Sequence, residues 1–179
     1  YIAGLLVSNV CLIISGVFLF RLVRLDHDEK TAFNSVKYLF LFPTAFVLSG
    51  IFTESLFLAL FIMCFYYARR QKWLLVGILG LFLSLTRTVR VIAVLPLAYE
   101  YFRSKEFNLR NIRPNVLFLV LLPCGTMIYA WYCYHLTGDL FAFSTVQKAW
   151  DRHLVNPLVV LWEGIRSPHL HVIFSATFI

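Results

Sequence analysis

Apolar residues in this sequence come in long uninterrupted blocks separated by short charged connections. A helix that faces water on one side carries a polar stripe, and a strand that does so alternates. Blocks without either pattern need an apolar solvent around them, and closed helices are the simplest structure that satisfies every backbone polar group there. Composition agrees. The 179 residues are 60% apolar and 14% charged, whereas a soluble domain is about 25% charged. The expectation is an all-α, polytopic membrane protein with about six membrane-embedded helices, forming a single transmembrane domain over residues 1–179.

The first span is expected from about Ile2 to Phe20. RLVRLDHDEKTAFNSVK then reads as a polar connection. Its acidic trio Asp26, Asp28 and Glu29 suits a solvated loop better than a metal site, because it lies beside basic residues. An apolar stretch follows from Tyr38 to Tyr67, broken by Pro43, Ser49, Gly50 and the TES triplet. It is too long for one span and reads as two short ones meeting at SGIFTES. Each half reaches only about 22–25 Å at 1.5 Å per residue, short of a ~30 Å hydrocarbon core. Their turn is therefore expected at the floor of a cavity, away from lipid. A second short pair, Trp73 to about Leu85 and Val91 to Phe102, meets at TRTVR. A full-length span is expected from about Val116 to Tyr134, and an outer lid over about 135–169.

The basic residues give the orientation. Eleven of the 16 Lys and Arg fall in three connections, around residues 21–37, 69–72 and 103–113. Alternating spans put these on one side, which the positive-inside rule makes cytoplasmic. SGIFTES, TRTVR and the segment after Tyr134 then face outward. Clusters of this kind set topology, so the net charge of +7 implies no nucleic-acid partner. Cys11, Cys64, Cys124 and Cys133 all lie in apolar runs, without the spacing of a metal or redox motif. Tyr1 opens inside an apolar run, with no basic segment before it or cleavage motif after it, and HVIFSATFI reads as the start of another span. An internal piece of a longer chain is expected.

Chemistry is expected on the outer side. Glu54 is the only acidic residue between Tyr38 and Ala68, and a carboxylate at that depth implies function. Its alternative role is to cap the following helix, where the helix dipole favours negative charge. Arg87 and Arg90 form a second polar break, suited to phosphate through their guanidinium forks or to interfacial snorkelling. Glu54 and Arg87 are also close enough in character to pair with each other. Beyond Tyr134, aromatic and charged residues mix: Gln147, Trp150, Asp151 and Arg152 suit a lid over a sugar or lipid phosphate, or an ordinary interfacial belt. NPLVVLWEGI reads as an interfacial helix with Pro157 in its first turn.

FPTAFVLSGIFTES, the span ending in YYARRQKW and LTRTVRVIAVLPLAYEY together resemble the core of the PIG-V-like mannosyltransferases, the GPI mannosyltransferase II family and its prokaryotic relatives, of the GT-C class. VQKAWDRHLVNP resembles that family's outer segment. The resemblance covers roughly residues 42–162. It implies transfer of mannose from a polyprenyl or dolichyl phosphate carrier to an acceptor glycan or glycolipid on the extracytoplasmic or lumenal face, without a metal or cofactor. It also implies residence in the plasma membrane of a prokaryote or the endoplasmic reticulum of a eukaryote. Glu54, Arg87, Arg90, Gln147, Trp150 and Arg152 become the substrate-binding candidates. The general base implied is an Asp in an outer loop N-terminal to Tyr1, with Asp139 and Asp151 as weaker substitutes. The family pattern usually has a Gly where this chain has Arg90, which implies an altered donor site, a divergent member or an inactive copy. Two other classes fit the broken helices: half of a transporter or flippase, or a non-catalytic subunit of a glycosyltransferase complex.

Overall fold

The computed structural model describes residues 2–43, 45–86, 92–107 and 114–140, together with Ala142, Thr145 and Val159. Every regular element among them is helical: α1 (Ile2–Val23), α2 (Glu29–Leu41), α3 (Phe46–Ser49), α4 (Glu54–Arg69), α5 (Trp73–Thr86), α6 (Val94–Arg103), and a 3₁₀ segment (Pro114–Val120) leading into α7 (Leu121–Thr137). The chain divides into two units, Tyr1–Tyr132 and Cys133–Ile179.

In the first unit α1 packs chiefly on α4, and α4 on α5; the 3₁₀ segment lies against α5 and α6. The core sits between α4, α5, α6 and the 3₁₀ segment, around Trp73, Val76, Leu97, Tyr101 and Leu122. The Trp73 and Tyr101 rings meet edge to face at 4.7 Å, and the Tyr101 hydroxyl donates to Asn115 Oδ1 at 2.9 Å. The buried phenol thus keeps a polar partner, as a buried Tyr requires.

Two helices are long and apolar enough to cross a membrane: Ile2–Val23, and the continuous stretch Pro114–Thr137. Only 17% and 22% of their apolar stretches are buried, whereas the core helix of a soluble protein is mostly buried. α1 shows what replaces burial. Its buried residues are Ser8, Cys11 and Ser15, spaced three and four apart on one face, and Gly16 beside them. Its large side chains point away from the protein, with Ile13 65% exposed. Trp131 on α7 is 63% exposed. Small and polar residues inside, large apolar residues outside, is the pattern of helix packing in lipid.

The connection 21–37 differs from the expected loop. Its second half is helix α2, starting after Asp28, whose backbone is extended (φ −70°, ψ 165°) as at an N-cap. The Thr31 hydroxyl donates to Asp28 Oδ1, and this bond holds the Asp28 carboxyl below its ordinary range. α2 persists because Ala32 is fully buried and Val36 and Phe40 lie against Gly16 of α1. Charge on the other face hid that periodicity. The helix ends before Pro43: Phe42 is extended, with ψ 135°, as steric pressure from a following proline dictates. The first of the two expected short spans is therefore α2 plus the single turn α3.

Ion pairs tie several connections together at one end of the first unit. Arg69 pairs with Asp26 and, through Nε, with Glu100 Oε1 at 3.4 Å. Glu100 also faces Arg103 at 3.5 Å, and Arg24 meets Glu29 at 3.1 Å. The connections after α1, α4 and α6 thus share one end. SGIFTES lies at the other end of α4, about 24 Å away along 16 residues. TRTVR and residues 108–113 lie largely outside the described residues.

In the second unit, α7 closes at Gly138, whose φ of +74° is a left-handed conformation that glycine adopts freely. Its N–H donates to the Tyr134 carbonyl at 2.8 Å. Thr145 Oγ1 donates to Asp139 Oδ2 at 3.2 Å. Apart from Ala142 and Val159, the rest of the expected lid, with Gln147, Trp150 and Arg152, lies outside the described residues.

Candidate functional site

The break between α2 and α4 is built from short hydrogen-bonded turns. Ala45 N–H donates to Phe42 O at 2.8 Å, Leu48 N–H to Ala45 O at 2.9 Å and Gly50 N–H to Phe46 O at 3.2 Å. Ser49 Oγ donates back to Phe46 O at 2.9 Å. Gly50 is extended, which stops α3 after one turn.

This break leaves carbonyls that no helix ladder satisfies, and α1 supplies donors to two of them. Ser8 Oγ donates to Phe52 O at 3.3 Å. Asn9 Nδ2 donates to Leu5 O at 2.8 Å within its own helix and to Ser49 O at 3.4 Å. One turn earlier, Gly4 lets the break approach. A Cβ there would stand 2.8 Å from Ile51 Cγ2. Side chains of α1 thus satisfy backbone groups that the break leaves without helical partners.

Glu54 is the first residue of α4. It is half-buried, and its Oε2 is enclosed by protein. The position suits a carboxylate, since the unpaired amides of a first helical turn carry partial positive charge. Thr53 precedes it without a side-chain capping bond, so no neutral cap competes for that role. Ser55 is fully buried, and its Oγ has no hydrogen-bond partner among the described residues. Glu54 and Ser55 thus put a carboxylate and a hydroxyl on successive residues, beside a braced break.

Of the substrate-binding candidates, Glu54 alone is described; Asp139, the weaker substitute for the base, is described too and accepts from Thr145 Oγ1. Arg87, Arg90, Gln147, Trp150 and Arg152 lie outside the described residues, as does any pairing of Arg87 with Glu54. Sequence reasoning missed Ser8, Asn9 and Ser55. Ser8 and Asn9 are the signal that was there to read: adjacent polar residues inside an otherwise apolar span. Among the described residues no group of three or more His, Cys, Asp and Glu could hold a metal ion. Each member of the acidic trio has a nearer role: Asp26 with Arg69, Asp28 with Thr31 and Glu29 with Arg24.

No family model, curated protein or solved structure matches the chain.

Proposed function

We propose that this chain is the membrane core of a multi-pass glycosyltransferase of the GT-C class, similar to the PIG-V-like mannosyltransferases. In this reading α1, α2 with α3, α4, α5, α6 and the 3₁₀ segment with α7 are its six membrane-embedded segments. The enzyme passes a hexose, expected to be mannose, from a polyprenyl phosphate to an acceptor glycan or glycolipid on the extracytoplasmic face. The observation that carries the proposal is the placement of Glu54. It opens α4 directly after a braced break in the bilayer-spanning stretch, at the end of the bundle opposite the basic connections. The motif that resembles the family, FPTAFVLSGIFTES, is this same break.

The reaction is an inverting displacement. A carboxylate takes the proton of the acceptor hydroxyl, the hydroxyl oxygen forms the new bond to the anomeric carbon, and the carrier phosphate leaves with the bonding pair. The resemblance implies an outer-loop Asp as that base. Glu54 orients sugar hydroxyls by accepting their hydrogen bonds, and Arg87 meets the charge developing on the phosphate. A transporter half shares the broken helices but requires no reaction.

The test is transfer of labelled mannose from the lipid carrier in membranes holding the full-length protein, with protein level measured alongside. Arg87→Ala is expected to lower the rate about 10²–10³-fold. Arg87→Lys keeps the charge but loses the fork and should retain part of the activity. Glu54→Gln, which keeps shape and loses charge, should be impaired. Wild-type transfer by Arg87→Ala at normal protein level removes the phosphate assignment; no transfer by any full-length form removes the enzyme reading.

A further inference from the structure

We propose that Arg21 and Arg70 form a site for the headgroup of an anionic phospholipid, at the end of the bundle opposite Glu54. The inference rests on the reading of α1 as a membrane span and is independent of the transferase reading.

The two guanidinium groups are held by one aromatic pair. Arg21 Cζ lies 5.8 Å from the centroid of the Phe18 ring, and Arg70 Cζ lies 5.1 Å from that of Tyr66. Phe18 and Tyr66 themselves meet edge to face at 5.3 Å, joining α1 to α4. The rings fix the direction of both cations and shield one side of each from water, while attracting them electrostatically. The site is thus partly built before any ligand arrives, which lowers the ordering cost of binding.

Both cations are also available. The neighbouring carboxylates have other partners: Asp26 with Arg69, Glu29 with Arg24, and Glu100 with Arg69 and Arg103. Among the described residues neither Arg21 nor Arg70 has a carboxylate within ion-pair distance, and both are exposed. Two guanidinium forks without a counter-charge match the oxygens of a phosphodiester.

Position selects a lipid as the source of that phosphodiester. Leu6, Val10, Ile13 and Val17 are exposed and recur at intervals of four, three and four residues along α1. Arg21 is the next step of the same stripe, four residues after Val17. An acyl chain lying along the stripe brings its headgroup to Arg21, and the Phe18–Tyr66 pair adds Arg70.

The experiment uses the full chain, purified in mild detergent and exposed to phosphatidylglycerol and phosphatidylcholine of equal chain length, with bound lipid counted by native mass spectrometry. The wild type is expected to favour phosphatidylglycerol. Arg21→Gln and Arg70→Gln should each lower that preference roughly fivefold; the double Lys variant should keep part of it. A control pair, Lys30→Gln with Lys37→Gln, removes the same charge from α2 and should change it by no more than about twofold at physiological salt. The site is overturned by equal binding of the two lipids, or by a control loss as large as that of the arginine pair. Binding of neither lipid overturns it together with the membrane reading of α1, whereas equal binding leaves that reading standing.

Discussion

Gln71 stands with φ +58° at a position where helices usually place glycine. Its N–H donates to Ala68 O and that of Lys72 to Tyr67 O, both at 2.9 Å, which is the Schellman closure of α4. The side chain explains the choice. Gln71 Oε1 accepts from Trp73 Nε1 at 3.3 Å, Ser104 Oγ at 3.4 Å and Lys105 Nζ at 3.5 Å. Trp73 is 2% exposed, so its indole N–H depends on an acceptor inside the protein. Glycine would relieve about 1 kcal/mol of left-handed strain, but stranding a buried donor costs about 1–3 kcal/mol. Gln71→Gly is therefore expected to destabilise by about 1 kcal/mol, and Gln71→Ala by more, since it loses the acceptor and keeps the strain. Thermal unfolding in detergent, followed by tryptophan fluorescence, measures both; a more stable glycine variant would show that the acceptor is dispensable. Nothing in the sequence singled out Gln71, because a left-handed cap is legible when glycine fills it. Glu54 stood out for the opposite reason: it is the one carboxylate in a long apolar run.

Between helices, glycines on α5 and on α7 let α5 approach the 3₁₀ segment and α7 closely. A Cβ on Gly77 would lie 2.6 Å from the Phe118 carbonyl oxygen, and one on Gly125 would lie 2.5 Å from that of Leu81. Both obstacles are backbone and cannot rotate aside. Gly77→Ala is expected to cost about 1–3 kcal/mol, the range for overpacking. Gly16→Ala on α1 meets only the tip of the Phe40 ring, at 3.2 Å, and should cost less. Parallel thermal melts of the two variants check the ranking, and equal losses would mean that the α5 contact can relax. The limits of α1, α5 and the continuous stretch Pro114–Thr137 lie within a few residues of those read from apolar blocks, because the apolar pattern there is continuous. α2 was missed because Glu29, Lys30 and Lys37 break up the apolar signal, and only the buried face through Ala32 and Val36 reveals a helix. The braces at Ser8 and Asn9 were missed because their partners are carbonyls 44 and 40 residues away, a link that spacing along α1 does not contain.

At the level of the whole first unit, the connections after α1, α4 and α6 meet at one end, and SGIFTES lies at the other. If α4 crosses the bilayer, single cysteines at Gly50 and Lys72, in a chain whose own four cysteines are replaced, should react with a membrane-impermeant maleimide from opposite sides of sealed vesicles. Labelling of both from one side would reject the crossing. The bridge at Arg69 also bears on synthesis. Asp26 is made 43 residues before its partner, and Glu100 follows later still. An exposed carboxylate waits in water at little cost, so α1 can stand until α4 arrives and closes the first latch. α6 then adds its own carboxylate to an arginine already in place. Because chains are made N-terminus first, the residues of each contact at this end become available in that order, and none of the later ones requires an earlier one to open.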